Sequence, residues 1–104
     1  MGLLNYIIAI FSLLSVFLLW KYNWILFIIL IALASILLYS RKSKKEVLMF
    51  ILFAIGGAVA EIIAMLSGAW VYTNPNLFSI PIWLPVLWGI AGICIGRYYE
   101  KSFR

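Results

Sequence analysis

Residues 53–68 read FAIGGAVAEIIAMLSG, a continuous apolar stretch with one acidic residue. On a helix, Glu61 shares one face with five small residues, because the positions recur at steps of three and four. These small residues are Ala54, Gly57, Ala58, Ala64 and Gly68. Small residues let a second helix approach closely, and an ionisable group in a lipid-embedded helix faces protein or water. The stretch therefore predicts helix packing around a buried carboxyl group.

The composition indicates a lipid environment for most of the chain. Of its 104 residues, 67% are hydrophobic and 11% are charged, and the mean hydropathy is +1.17. A water-soluble domain needs a larger polar surface. Because the apolar runs are continuous rather than alternating, helices are favoured over a barrel. We predict one all-α domain, a polytopic integral membrane protein with a four-transmembrane-helix bundle of two antiparallel hairpins.

Turn residues and charges divide the sequence into four predicted spans, at about residues 3–20, 24–40, 47–70 and 81–97. The linker between the first two is short, which predicts an antiparallel hairpin. Pro85 lies one turn into the fourth span, where its ring and missing amide predict a kink or a broken first turn.

The fourth predicted span carries a second row of small residues, Gly89, Gly92 and Gly96. Their spacing of three and four places them on one face. We expect this face to pack against the small-residue face of the third span, with the first hairpin around both.

Basic residues predict the topology. They cluster in one loop and in the C-terminal tail, as Arg41, Lys42, Lys44, Lys45, Arg97 and Lys101. The positive-inside rule then places both termini in the cytoplasm of a multi-pass cell-membrane protein, with these side chains at the lipid headgroups. Nucleic acid is not an expected partner of this +5 chain, because its basic residues form no face on a folded domain.

The residue inventory restricts the chemistry that the chain can perform. It has no His and one Cys, which excludes His-based metal sites, Ser-His-Asp and Cys-His catalysis and an intrachain disulfide. We predict no metal site, no cofactor and no catalytic residue.

Glu61 is the candidate site residue, with Trp83 and Trp88 expected at the same depth. An indole N–H from this region is expected to donate to the carboxyl group. Two interpretations stay open: Glu61 forms a structural hydrogen bond between helices, or it binds a proton, a cation or a lipophilic ligand.

Two families share features with this sequence. Its size and four predicted spans are similar to those of the small multidrug resistance transporters, but their glutamate is in the first span, so no residue role is carried over. Glu61, the run Gly68-Ala-Trp70-Val-Tyr72, and Pro81, Pro85 and Trp88 resemble a pattern in polytopic membrane proteins of carotenoid pathways. That pattern covers under a third of the chain and lacks their additional acidic residues. Neither similarity assigns a family.

Three classes of function fit these features. The first is an accessory or structural subunit of a larger membrane complex or a homo-oligomer, in contact with lipids and with other subunits or itself. The alternative is a carrier or channel for a proton, small cation or lipophilic ligand that uses Glu61. A membrane enzyme acting on a lipid-like substrate ranks last, because one buried carboxyl group lacks an acid–base partner.

Overall fold

The computed structural model describes residues 2–77 and 79–102, with side chains for residues 3–77 and 79–100. It has four helices, α1 (Gly2–Leu19), α2 (Asn23–Tyr39), α3 (Lys44–Leu66) and α4 (Trp83–Ser102). Within the described residues there is no strand, and an isolated bridge joins Leu77 to Ile80. The predicted all-α fold is therefore confirmed.

Helix α3 ends at Leu66 rather than at residue 70, which corrects the predicted boundary. The N–H groups of Ser67 and Gly68 donate to the carbonyl groups of Ala64 and Met65. Gly68 has a φ of +86°, a conformation that glycine adopts without strain and that terminates helices. Gly68 is therefore a helix-ending residue and not, as predicted, a helix-packing one.

Helix α4 begins at Trp83, and Pro85 lies within its first turn. Amide groups in the first turn have no acceptor inside the helix, so the missing N–H of a proline costs nothing there. The helix starts two residues later than the predicted residue 81 and continues to Ser102, so a full helical turn does not precede Pro85. A kink at Pro85 stays a prediction. The Asn76 side chain accepts a hydrogen bond from the Ile82 N–H (2.7 Å) just before the helix starts.

Helix α4 occupies the centre of the bundle. It contacts α1, α2 and α3, whereas α3 packs mainly against α4. The most deeply buried large side chains come from α2 and α4, and include Leu26, Leu30, Leu37, Ile90 and Ile93. Only Gly57 of α3 is buried, so most of this helix faces outward.

Aromatic rings and glycines form the interface between α3 and α4. Each of three glycines lies directly beneath a ring of the other helix: Gly57 beneath Trp88, Gly89 beneath Phe50 and Gly92 beneath Phe53. A methyl group at any of them would overlap the ring. The glycines therefore receive aromatic side chains, and the predicted packing of small face on small face is corrected.

The other predicted packing residues lie at the edges of this interface. Ala58 packs against the buried core, and Ala54 and Ala64 are half-buried. Gly96 has more space than the other α4 glycines, because a methyl group there would meet only Met49, at 3.7 Å.

Among the described residues, one helix, α3, is long and apolar enough to cross a membrane. Helices α1 and α2 are apolar but shorter. Many large apolar side chains point outward, such as Phe17 (77% exposed) and Leu66 (81% exposed). Exposed apolar surface on this scale is typical of contact with lipid or another protein.

Candidate functional site

Glu61 lies on α3 five residues before the last residue of that helix, Leu66. At a rise of 1.5 Å per residue, its Cα is about 8 Å from the end of the helix. The site is therefore near the α3–α4 connection rather than near the middle of the helix. Its side chain is half-buried.

Two aromatic side chains donate hydrogen bonds to the same oxygen of Glu61. The Tyr72 hydroxyl lies 2.6 Å from Oε2, and the Trp70 indole Nε1 lies 3.1 Å from it. Both donors belong to the segment after α3, which turns back at Gly68. A helix that continued to residue 70 would have carried these side chains onward, so the short α3 is what makes the contacts possible.

The prediction that Trp83 or Trp88 donates a hydrogen bond to Glu61 is wrong. Trp83 donates its indole N–H to the Asn23 side chain (3.1 Å), and Asn23 in turn donates to the Asn74 carbonyl oxygen (2.8 Å). Trp88 packs on Gly57. Trp83 and Trp88 nevertheless lie in the same part of the molecule as Glu61, because all three line one cavity.

An apolar cavity of about 430 Å³ lies beside Glu61. Helix α1, the segment after α3, and α4 supply the rest of its lining, which consists of Leu13, Val16, Tyr72, Trp83, Leu84, Leu87, Trp88 and Ala91. Glu61 is the one acidic residue in this lining. Cavities of this size, with few polar groups in an apolar wall, are typical of small-molecule sites.

The second oxygen of Glu61 is available within this arrangement. Both hydrogen bonds described above go to Oε2, and among the described residues no protein group donates to Oε1. No lysine or arginine of the described residues forms an ion pair with Glu61. Burial, and secondly the hydrogen bond to Glu61, raise the pKa of Tyr72, so this phenol stays a proton donor at neutral pH.

Glu61 has no second acidic residue beside it. The other two acidic residues are Glu46, at the start of α3, and Glu100, near the end of α4. Both lie at the end of the bundle away from Glu61. Along α3 alone, Glu46 is about 22 Å from Glu61 at the helical rise. A lone carboxyl group in an apolar wall can accept a hydrogen bond or hold a positive charge.

A second polar cluster lies at the far end of the bundle, around Arg97. The guanidinium group binds the Glu46 carboxylate through two hydrogen bonds, of 2.6 Å from Nη2 and 2.8 Å from Nε. Arg97 is only 4% exposed. This paired geometry is the strong form of an arginine–carboxylate contact.

The remaining N–H groups of Arg97 reach two further helices. They donate to Asn5 Oδ1 (2.8 Å) and to the Leu37 carbonyl oxygen (2.9 Å), and more weakly to Ser40 Oγ (3.3 Å). Arg97 and its partners Glu46, Asn5, Ser40 and the Leu37 carbonyl group are called the inner cluster, and they join α1, α2, α3 and α4. The prediction that Arg97 lies at the lipid headgroups is therefore wrong, because the fold buries it as a link between helices.

One sequence signal for this cluster lies at the start of α3. Ser43 and Glu46 have the S-x-x-E spacing of a capping box, and the Ser43 hydroxyl accepts a hydrogen bond from the Glu46 N–H (3.3 Å). This motif fixes the start of α3 and holds Glu46 in its first turn. The Glu46 side chain then turns to Arg97 instead of to the Ser43 backbone.

The other predicted headgroup residues lie on the protein surface wherever the structure describes their side chains. Arg41, Lys42, Lys44 and Lys45 are exposed, and the side chain of Lys101 lies outside the described part. Arg41 forms long contacts with Glu100 (3.4 Å) and Glu46 (3.6 Å). Exposed pairs of this length contribute little to stability.

Comparisons of this chain with protein-family models, with curated proteins and with solved structures find no match. The site is therefore interpreted from its own geometry.

Proposed function

We propose that this chain is a multi-pass membrane protein that binds a lipophilic ligand in the cavity beside Glu61. Support for the membrane comes from the apolar composition and from the large apolar side chains on the outward faces of α1, α2 and α3. Lipid contact would stabilise this surface, whereas water would not.

The proposed topology has four spans with both termini in the cytoplasm. The basic loop that holds Arg41, Lys44 and Lys45 supports this orientation by the positive-inside rule. Reporter fusions at the C-terminus test it: activity of a cytoplasmic reporter is the expected result, and activity of an exported reporter would contradict it.

The observation that carries the ligand proposal is the apolar cavity of about 430 Å³ with a single carboxyl group in its wall. The cavity is open on one side, so a molecule can enter it from the surface of the bundle. Oε1 of Glu61 accepts no hydrogen bond from a described residue, and it would give a bound molecule one polar anchor. Carriage of such a ligand through or along the membrane is the activity this arrangement supports best.

Photolabelling tests this function. The purified chain in nanodiscs is irradiated with hexadecanol that bears a diazirine group, and the labelled residues are identified by mass spectrometry. We expect saturable labelling within residues 83–91, since α4 supplies most of the lining.

A matched pair of variants controls the photolabelling experiment. Ala91→Phe fills the cavity and should remove the saturable component, whereas Ala32→Phe adds the same bulk to the exposed face of α2 and should retain it. Labelling that is spread evenly over the lipid-facing surface and does not saturate would contradict the proposed function.

The second candidate function is that of a structural subunit in a homo-oligomer or larger membrane complex. One observation favours it: Gly56 and Ala60 are exposed on the outward side of α3, and a methyl group at Gly56 would meet nothing within 4 Å. Small residues on an open helix face suit close approach of another helix. Cross-linking in native membranes tests this candidate, and Gly56→Leu should abolish any cross-linked species that forms through this face.

A further inference from the structure

We propose that the ligand of this cavity is an organic cation, an apolar body that carries one positively charged ammonium-type group. This inference rests on the proposed function and specifies the chemical class of the molecule bound. It follows from three features of the site: a carboxyl group without a basic partner among the described residues, the aromatic lining, and the small number of other polar groups.

The Glu61 carboxyl group has no basic partner among the described residues. Its two hydrogen-bond donors, Trp70 and Tyr72, are neutral, and both approach Oε2. The other partly buried acid, Glu46, shows the contrast, because Arg97 neutralises it at 2.6 Å. A cation bound in the cavity would supply for Glu61 what Arg97 supplies for Glu46, in surroundings where charge attraction is stronger than in water.

Three aromatic side chains line the same cavity: Tyr72, Trp83 and Trp88. Aromatic rings attract cations through their electron-rich faces, and tryptophan does so best. Clusters of such rings recognise quaternary ammonium groups in proteins. The hydrogen bonds of Trp83 to Asn23 and of Tyr72 to Glu61 hold two of the three rings in place, so little ordering is needed when a ligand binds.

The lining argues against an inorganic ion. Metal cations such as Mg²⁺ and Ca²⁺ require about six or more oxygen ligands. Beyond the Glu61 carboxyl group, the residues of this cavity offer one phenol oxygen, which is already a donor to Glu61. The aliphatic side chains from α1 and α4, including Leu13, Val16 and Leu87, fit an apolar body instead.

A pair of isosteric competitors tests the inference. Dodecyltrimethylammonium and its uncharged analogue, in which carbon replaces the quaternary nitrogen, each compete with the diazirine hexadecanol probe in nanodiscs of an uncharged glycolipid, which has no ammonium group of its own. We expect the ammonium compound to displace the probe at a concentration about tenfold lower, the range given by a partly desolvated charge pair with ring contacts. Equal displacement by the two compounds would overturn the inference and leave the proposed function standing.

Two variants that remove the same charge locate the preference. Glu61→Gln should lower the ratio between the two competitors to about one, while Glu100→Gln, at the other end of the bundle, should leave it about tenfold. A preference that survives in Glu61→Gln would also overturn the inference. If neither compound displaces the probe and labelling does not saturate, the proposed function fails together with the inference. The comparison in the wild-type chain does not depend on how either variant folds.

Discussion

Each end of this bundle holds a partly buried glutamate of α3, and the surroundings of the two glutamates differ. At the inner cluster, Glu46 receives a guanidinium group that also binds α1 and α2. At the opposite end of the bundle, here called the outer end, Glu61 receives two neutral donors on one oxygen and lines an apolar cavity. Glu46 therefore has a basic partner within the fold, whereas no described residue supplies one to Glu61.

This difference separates stability from binding. A buried ion pair with all its hydrogen bonds made leaves nothing for a ligand to contact, and its loss leaves an uncompensated charge. A carboxyl group that lines a cavity contributes little to the free energy of unfolding, and it can still accept a hydrogen bond or an ion pair from a ligand. We therefore expect variants at the inner cluster to affect unfolding, and variants at the outer site to affect binding.

Removal of the inner cation should have the largest effect. Arg97→Met is expected to lower the free energy of unfolding by about 3–5 kcal/mol, because Glu46 and Asn5 lose their shared partner. Titration with SDS from mixed micelles measures this quantity.

The control for Arg97→Met is Arg41→Met, which removes an exposed arginine with long contacts to acids and should change the free energy of unfolding by less than about 1 kcal/mol. The double variant Arg97→Met/Glu46→Leu should be more stable than Arg97→Met alone, since no unpaired acid remains. Similar losses for Arg97→Met and Arg41→Met would show that the inner cluster does not hold the bundle together.

Two adjacent glycines give the next largest effect and sharpen the role of α3. Gly57→Ala should destabilise the protein by about 1–3 kcal/mol, because the new methyl group overlaps Trp88. Gly56→Ala meets nothing within 4 Å and should be neutral or stabilise the helix by up to about 1 kcal/mol. Unfolding titrations of the two variants check this, and equal destabilisation would contradict the packing of Trp88 on Gly57.

The outer site should show the smallest effect on stability. Tyr72→Phe removes one hydrogen bond to Glu61 and should cost about 1 kcal/mol. Glu61→Gln retains an acceptor oxygen and should cost no more, although it should change ligand preference. If Glu61→Gln destabilised the chain as strongly as Arg97→Met, Glu61 would be a structural residue and the contrast between the two ends would fail.

The helices could be predicted from the sequence, but the partners of their polar side chains could not. Long apolar runs and the loops between them locate α1 to α4 to within a few residues, since lipid or a core must cover such runs. The side chains of Asn5, Glu46 and Arg97 are far apart along the chain, and only the packing of all four helices brings them together. Periodicity within one helix does not contain that information.

The donors to Glu61 were missed for a local reason. The apolar run continues past Leu66 to Trp70, so hydropathy alone predicts a longer third helix. The signal that ends it is Gly68, which adopts a positive φ and reverses the chain. Because Gly68 ends the helix and reverses the chain, Trp70 and Tyr72 can lie beside Glu61.

The contrast between the two ends is measured most directly by carboxyl-carbon NMR. The chain has three acidic residues, all glutamate, so a sample labelled at the glutamate Cδ gives three carboxyl signals, assigned with the three Glu→Gln variants. When dodecyltrimethylammonium is added to the protein in nanodiscs, the Glu61 signal should move until it saturates, and the Glu46 signal should stay in place. Movement of Glu46, or no movement of Glu61, would contradict the assignment of binding to the outer acid and stability to the inner one.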